Sequence, residues 1–260
     1  MFDSGVGGLT VVREIMRQIP GERIVYFGDT ARVPYGNKSK ETVITYSRQI
    51  VKFLRTKDVK AVVIACNTAS AFALETIKEE IDIPMIGVVK PGAKVAAETT
   101  KNGRIGIIGT EGTIHSGIYN EFLSETNPNV KVYGKACPLF VPLVEEGLLE
   151  DSVTYEMAGR YLNELLQYGI DTLVLGCTHY PLIRHTIQKV VGDGITLVNP
   201  AYETAISLKE VLVANHIENA GNGGGHRFYV SDGAEKFKEF ANTILPCEVL
   251  KTKDINIEQY

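Results

Sequence analysis

Short apolar runs rich in valine and isoleucine alternate along this chain with segments in which apolar residues recur at every third or fourth position. An apolar run without polar alternation is typical of a parallel strand that is buried on both faces. A period of three or four residues is typical of a helix that packs one apolar face on a sheet. The alternation of the two patterns therefore predicts an α/β protein.

The predicted elements follow from where each pattern starts and stops. One helical stripe runs from Leu9 to Ile19 and another from Val43 to Leu54, and residues 201–218 are predicted to form a long helix. The predicted strands are residues 24–27, 61–65, 85–89, 104–108, 130–133, 172–175, 196–198 and 227–230.

Two stretches of the chain look alike. In residues 62–68 and again in residues 173–179, a buried strand ends at a cysteine, which is followed by small polar residues and a predicted helix. Two related halves explain the similarity. We therefore predict two pseudo-symmetric lobes, each a mostly parallel sheet flanked by helices, with the active site in the cleft between them.

Two breaks in the pattern divide the chain between the lobes. A Pro-Gly pair at 91–92 follows the first half, and an Asn-Pro pair at 199–200 follows the second. We predict that residues 1–91 and 208–260 together form an N-terminal lobe, which the C-terminal segment completes, and that residues 92–207 form the second lobe.

Composition and charge narrow the classes of function. The 44% hydrophobic and 22% charged residues are typical of a globular protein, and the formal net charge of −4 without a basic run predicts no nucleic-acid partner. Residues 59–66, among the longest apolar stretches, are far shorter than the roughly 18 residues of a membrane span. The chain opens without an apolar leader, from which we expect a cytoplasmic protein with a small-molecule partner.

The four cysteines, at positions 66, 137, 177 and 247, form no CxxC pair, which argues against a disulfide scaffold, a zinc ribbon or a thioredoxin site. Cys66 and Cys177 stand at equivalent points, each at the end of a strand and before a predicted helix. Helix N-termini stabilise thiolates, and open parallel sheets bind ligands at these strand ends. Cys137 and Cys247 have no such setting and are predicted to be structural.

Two thiols that face one carbon atom from opposite sides can racemise it, because one removes a proton while the other delivers one. A thiol with a pKa of about 8.5 is only a few per cent thiolate at neutral pH. The pair therefore needs acidic or basic neighbours, and the sequence offers Asp3 for one cysteine and His179 with Glu145 or Glu146 for the other. Two such thiols would titrate as a coupled unit.

A set of motifs in this sequence resembles the glutamate racemases, a cofactor-independent family with two active cysteines. Together the motifs span nearly the whole chain in the family's order. They are FDSGVGGLT at 2–10, YFGDT at 26–30, PYG at 34–36, ACNTA at 65–69, PGA at 91–93, GIIGT at 106–110, ACPL at 136–139, VE at 144–145 and GCTHYP at 176–181.

The resemblance implies a role for each matching residue. Cys66 and Cys177 are the acid/base groups, and in the family the cysteine matching Cys66 acts on the D enantiomer and the one matching Cys177 on the L enantiomer. Asp3, Glu145 and His179 assist proton transfer. The residues implied to hold glutamate are Asp3, Ser4, Tyr35, Gly36, Asn67, Thr68, Thr110, Thr178 and His179.

The resemblance also implies a cellular setting, and the sequence departs from the family at one point. It implies no cofactor and no metal, a homodimer, and a bacterial cytoplasm in which D-glutamate is used to build peptidoglycan. Family members carry a full apolar strand before the Asp-Ser-Gly turn, whereas here only Met1 and Phe2 precede it. We therefore expect a short first strand that exposes apolar surface and loosens Asp3.

Other chemistries fit the residues less well. The loop from Gly5 to Gly8 lacks the last glycine of G-x-G-x-x-G and the lysine of a Walker A loop, which argues against NAD or ATP. A zinc site of Cys66, Cys177 and His179 lacks a fourth ligand, and no lysine is marked as a partner for pyridoxal phosphate.

Three functional alternatives remain open beside glutamate racemisation. Related two-lobed enzymes racemise aspartate or hydantoins, and others decarboxylate malonates with a single cysteine, which the presence of both Cys66 and Cys177 disfavours. A two-lobed amino-acid-binding protein without turnover is the alternative from a different class.

Overall fold

Two separate parallel sheets form the framework of this computed structural model, which describes residues 1–221 and 223–260. The strands are β1 (Phe2–Asp3), β2 (Val25–Gly28), β3 (Val62–Ile64), β4 (Met85–Gly87), β5 (Arg104–Gly109), β6 (Lys131–Ala136), β7 (Thr172–Gly176), β8 (Thr196–Val198), β9 (Arg227–Val230) and β10 (Thr252–Asp254).

Helices cover the sheets, with short 3-10 turns at Tyr35–Asn37, Tyr180–Ile183 and Ile257–Gln259. They are α1 (Leu9–Gln18), α2 (Lys40–Arg55), α3 (Asn67–Lys78), α4 (Val89–Thr99), α5 (Glu111–His115), α6 (Ile118–Thr126), α7 (Phe140–Glu145), α8 (Ser152–Leu166), α9 (Arg184–Val191), α10 (Pro200–Ala214) and α11 (Ala234–Ile244).

The strand orders are β10-β9-β2-β1-β3-β4 in the first sheet and β6-β5-β7-β8 in the second, and the neighbouring strands run parallel. This arrangement confirms the predicted α/β class with two sheet-centred lobes. Among the described residues, no helix combines the length and the apolar character that crossing a membrane requires.

The C-terminal strands extend the first sheet. Strand β9 pairs with β2, where Val25 lies opposite Arg227, and β10 pairs with β9 at the outer edge. The fully buried ring of Phe53, on α2, lies 5.1 Å from the ring of Tyr229 and 5.3 Å from that of Tyr260. The last residues of the chain therefore pack into the core of the first lobe.

Strand β1 has only two residues, yet it occupies the middle of the first sheet, with Phe2 paired to both Phe27 and Ile64. The expected exposure of apolar surface is not seen at this strand, since Met1 is 7% and Phe2 0% exposed, although Met1 and Ala61 help to line a cavity of about 390 Å³. Asp3 is not loosened, since it is fully buried and its carboxylate accepts two hydrogen bonds.

The two breaks predicted from proline lie inside helices rather than in loops. Pro91 stands in the first turn of α4, and Pro200 is the first residue of α10. A proline is compatible with the first turn because the N–H it lacks has no partner within the helix there. The predicted lobe boundaries at 91/92 and 207/208 therefore fall within α4 and α10. The exact residues at which one lobe ends and the other begins stay a prediction.

Replacing Phe53 by alanine tests how much the first lobe depends on this aromatic cluster. Loss of a buried phenylalanine leaves a cavity between α2, β9 and the C-terminal turn. We expect Phe53→Ala to lower the free energy of unfolding by about 3 to 5 kcal/mol, measured by urea denaturation.

Tyr155→Ala is the matched control, since Tyr155 is also aromatic but is 51% exposed. We expect this variant to stay within about 0.5 kcal/mol of the parent protein. Equal losses in the two variants would contradict the assignment of Phe53 to the core.

Candidate active site

Both singled-out cysteines lie just beyond the carboxyl ends of buried strands. Cys66 follows β3 and caps the N-terminus of α3, and Cys177 follows β7 directly. Each is only 6% exposed, and the two line one cavity between the lobes. This shared cavity is the arrangement that chemistry on opposite faces of one carbon requires. It is also lined by Ser4, Tyr35, Gly36, Asn67, Thr68, Thr110, Thr178 and His179, together with Val33, Pro34 and Val141.

The surroundings of Cys66 favour the neutral thiol. Burial raises the pKa of Cys66 to about 12, and the negative charge of Asp3 adds to the effect. The sulfur accepts a hydrogen bond from the backbone N–H of Ala69 at 3.4 Å and donates to the hydroxyl of Ser4 at 3.7 Å. Cys66 is therefore protonated at neutral pH and can act as an acid.

Asp3 lies beside Cys66 and is held from both lobes. Its Oδ2 accepts from the backbone N–H of Gly5 at 3.0 Å, and its Oδ1 accepts from the hydroxyl of Thr178 at 3.3 Å. Burial raises the pKa of Asp3, while the charge of His179 and these hydrogen bonds act in the opposite direction. Asp3 is thus a buried carboxyl group whose charge acts on the first thiol.

Cys177 begins a chain of three side chains. Its sulfur lies 3.8 Å from Nδ1 of His179, and Nε2 of the same ring lies 2.9 Å from Oε1 of Glu145. Burial alone would lower the pKa of His179, but the hydrogen bonds with Cys177 and Glu145 outweigh burial and raise it to about 10. Of the two glutamates left open by the sequence, Glu145 rather than exposed Glu146 is the partner of His179.

The two sulfurs therefore stand in opposite electrostatic settings. A positive imidazolium next to Cys177 stabilises negative charge on that sulfur, while the carboxylate of Asp3 disfavours it on Cys66. Two thiols in such different settings can take different roles towards a ligand bound in their shared cavity.

Tyr35 borders the cavity, but its hydroxyl donates to Oδ2 of Asp29. The same carboxylate oxygen accepts from Nε of Arg32 at 2.8 Å. What Tyr35 offers to a ligand is therefore its ring and its backbone rather than its hydroxyl. Asp29 and Arg32 were not predicted as site residues. The YFGDT motif contained Asp29, but nothing local in the sequence indicated its contact with Tyr35.

Three threonine hydroxyls meet across the cleft. Thr68, on α3, lies 2.8 Å from Thr110 and 3.3 Å from Thr113, measured between the hydroxyl oxygens. Gly36 fits against this group because a Cβ there would lie 2.5 Å from the Cβ of Thr110. Lysine and arginine are absent from the described lining, so an anionic ligand would be held by hydroxyls, an amide and backbone N–H groups.

The cavity lined by both sulfurs is small, with about 20 Å³ available to the centres of water molecules. That is room for one or two water molecules and not for an amino acid. The lobes contact each other around it, for example through the hydrogen bond from the hydroxyl of Thr10 to the carbonyl of Thr178, at 3.0 Å. Binding of an amino acid therefore requires this cavity to widen.

The other two cysteines lie outside this cavity lining. Cys137 is buried, and burial raises its pKa, whereas Cys247 is exposed. All four cysteines are free thiols. Within residues 1–221 and 223–260, no group of three or more His, Cys, Asp or Glu side chains is arranged to hold a metal ion.

Comparisons with known proteins agree with the resemblance found in the sequence. The Asp/Glu/hydantoin racemase family matches residues 7–205. A glutamate racemase of Geobacter metallireducens is 47% identical over 259 residues, which cover 99% of this chain and 96% of the relative.

Solved structures give the same result. Glutamate racemase isoform RacE1 of Bacillus anthracis superposes with a TM-score of 0.95 at 41% identity, covering 98% of this chain and 96% of that one. Glutamate racemase of Francisella tularensis in complex with D-glutamate superposes with a TM-score of 0.92 at 37% identity, covering 100% of this chain and 97% of that one.

Removing the carboxylate of Glu145 should lower the pKa of His179. The hydrogen bond between the two side chains is one cause of the raised value, and Glu145→Gln keeps the shape while removing the charge. An NMR titration of the ring protons should therefore show a lower midpoint for His179 in this variant.

Glu146→Gln is the control, since it removes the neighbouring charge from an exposed position. We expect it to leave the titration of His179 unchanged. An equal shift in both variants would assign the effect to general surface charge rather than to the contact with Glu145.

The charged ring of His179 should also make stability depend on pH. Its pKa in the fold, about 10, is higher than the roughly 6.5 of an unfolded histidine. The stabilisation is therefore complete below about pH 6.5 and is lost as pH rises towards 10. Urea unfolding should show a steeper decline over this range for the parent protein than for His179→Asn, and parallel declines would contradict the assignment.

Proposed function

This chain belongs to the Asp/Glu/hydantoin racemase family, and we propose that it is a glutamate racemase that interconverts L- and D-glutamate without a cofactor, with Cys66 and Cys177 as its two acid/base groups. Such an enzyme is an isomerase. One observation supports the mechanism above all: the two thiols share one cavity and stand in opposite electrostatic settings.

The proton transfers follow from those settings. For L-glutamate, the thiolate of Cys177 removes the α-hydrogen as a proton, and the electron pair left on the carbon is delocalised into the α-carboxylate. The thiol of Cys66 then delivers its proton to the opposite face, which yields D-glutamate and a thiolate on Cys66. The reverse reaction uses the same groups in exchanged roles.

His179, Glu145 and Asp3 support these transfers. The imidazolium of His179 stabilises the Cys177 thiolate before the reaction, and Glu145 keeps the ring charged and oriented. The charge of Asp3 acts on Cys66, and we propose that Asp3 supplies a proton when the Cys66 sulfur must be reprotonated. After each turnover, the two sulfurs return to their starting protonation states through these neighbours or through the reverse reaction.

Glutamate is the substrate that the comparisons support, since the relatives with full coverage are glutamate racemases and one of them was solved with D-glutamate. The neutral donors of the cavity suit a substrate with two carboxylates, because N–H and O–H groups can solvate anions without a cation. The proposed binding residues are Asp3, Ser4, Tyr35, Gly36, Asn67, Thr68, Thr110, Thr178 and His179.

The wider setting is part of the proposal. The family resemblance implies a role in supplying D-glutamate for peptidoglycan, a bacterial cytoplasm and a homodimer, and we include all three in the proposal. The boundaries of the two lobes, 1–91 with 208–260 and 92–207, belong to the same proposal.

A binding protein without turnover is the main alternative from another class. Such a protein has no use for a charged histidine against a buried thiol, nor for a second thiol in the lining of the same cavity. Aspartate or hydantoin racemisation would use the same cysteines, so only the choice of substrate separates those activities from the proposed one.

Cys66→Ser and Cys177→Ser should each lower the kcat of glutamate racemisation by at least about a hundredfold. A serine hydroxyl is a far weaker acid than a thiol, so each substitution removes one general acid/base group. The reaction is followed as the loss of circular dichroism of L-glutamate without added cofactor. Cys137→Ser and Cys247→Ser are matched controls that should leave kcat near that of the parent protein.

Deuterium exchange distinguishes the alternatives. The parent protein in deuterated water should place deuterium on the α-carbon as it inverts it. Binding of glutamate without exchange would indicate a binding protein. Faster turnover of L-aspartate than of L-glutamate would indicate an aspartate racemase instead. Racemisation that persists in both Cys66→Ser and Cys177→Ser would overturn the two-thiol mechanism.

A further inference from the structure

Tyr119 touches both cysteine-bearing turns although it lies near neither in sequence. It stands at the start of α6, in the second lobe, and is 3% exposed. Its ring lies against the residue before Cys177, where a Cβ on Gly176 would be 3.3 Å from Cε2 of Tyr119. Its hydroxyl donates to Oδ1 of Asn67, the residue after Cys66, at 2.8 Å.

This hydrogen bond determines which end of the Asn67 amide faces the cleft. A side-chain amide presents an oxygen acceptor at one end and two N–H donors at the other. With Oδ1 bound to Tyr119, the Nδ2 group is left for the cavity, and within the described part of the chain it has no hydrogen-bond partner. Asn67 is 4% exposed and lines the same cavity as both cysteines.

The surrounding charges favour the same orientation. Asn67 also borders a second small cavity with Cys177, whose sulfur carries negative charge when it is the thiolate. An amide nitrogen facing that charge is attracted, whereas an amide oxygen would be repelled. Burial raises the pKa of Tyr119 far above neutral, so the phenol stays protonated and remains able to donate.

We propose that Tyr119 is a positioning residue, whose hydroxyl holds the Asn67 amide with both Nδ2 hydrogens directed at a carboxylate of the substrate. The inference rests on the proposed function, in which Asn67 binds glutamate. Asn67 belongs to the first lobe and Tyr119 to the second, so this hydrogen bond spans the two lobes.

Tyr119→Phe removes the hydroxyl and keeps the ring against Gly176. Oδ1 of Asn67 then loses its hydrogen-bond donor, and the amide is free to turn. When its oxygen faces the cleft, the partial negative charge of that oxygen repels an anionic substrate. We expect KM for glutamate to rise about tenfold, equivalent to ~1.4 kcal/mol, with a smaller change in kcat. Since the two enantiomers have equal free energies, kcat/KM must fall by the same factor in both directions.

A double-mutant cycle separates this role from a merely structural one. In the Asn67→Ala background, Tyr119→Phe should have no further effect on KM, because the group that it positions is gone. A structural role for the hydroxyl would instead give the full additional loss. Tyr133→Phe is the matched control, since it removes another tyrosine hydroxyl of the second lobe, on a ring that stacks on Tyr168 at 4.3 Å, and it should leave KM unchanged.

The possible failures are distinguishable. A parent protein that racemises glutamate, with an unchanged KM in Tyr119→Phe or with additive effects in the cycle, would overturn the positioning role alone. A parent protein that neither binds nor racemises glutamate would overturn the proposed function and this inference together. Calorimetric titration of D-glutamate into the parent protein and into Tyr119→Phe measures binding independently of turnover.

Discussion

The contact between the His179 ring and the Cys177 sulfur is the interaction on which the rest of the site depends. It places a positive charge beside one of two otherwise similar thiols and so makes them unequal. Burial increases the effect, because charges interact more strongly when water is excluded. Glu145 completes the arrangement by accepting from the far side of the ring, so the buried positive charge is paired on both sides.

The parallel sheets explain how two distant cysteines come to face one cavity. Each sheet directs the carboxyl ends of its central strands, β3 and β7, towards the cleft, where helices begin and backbone N–H groups are free. Hydroxyl contacts, among them those of Thr10 and Thr68, join the lobes around a small cavity. The sulfurs therefore lie in low-dielectric surroundings, and the cavity must widen before an amino acid can bind.

The neutral donors that line the cavity preserve the electrostatic difference between the two sulfurs. A lysine or arginine in the lining would pair with the thiolate or with Asp3 and reduce the difference between the two sulfurs. Hydroxyls and the Asn67 amide can solvate an anion without adding a net charge. Such groups must be oriented to be useful, and the hydrogen bond from Tyr119 supplies that orientation for Asn67.

Local patterns in the sequence were enough to predict the α/β class, the two lobes and the two cysteines. These patterns are the apolar runs, the helical periods, and the two strands that end at Cys66 and Cys177. The residue types alone did not separate Glu145 from Glu146, between which only the family resemblance chose, and the prolines at 91 and 200 were taken for breaks although they lie in the first turns of helices.

Three contacts could be seen only in the folded protein: that of Glu145 with His179, that of the Tyr35 hydroxyl with Asp29, and that of Tyr119 with Asn67. These contacts join residues of different elements, and in two of the three they join different lobes or residues far apart in sequence. No local period encodes which side chain another will meet, because that depends on how the helices pack on both sheets and on how closely the lobes approach.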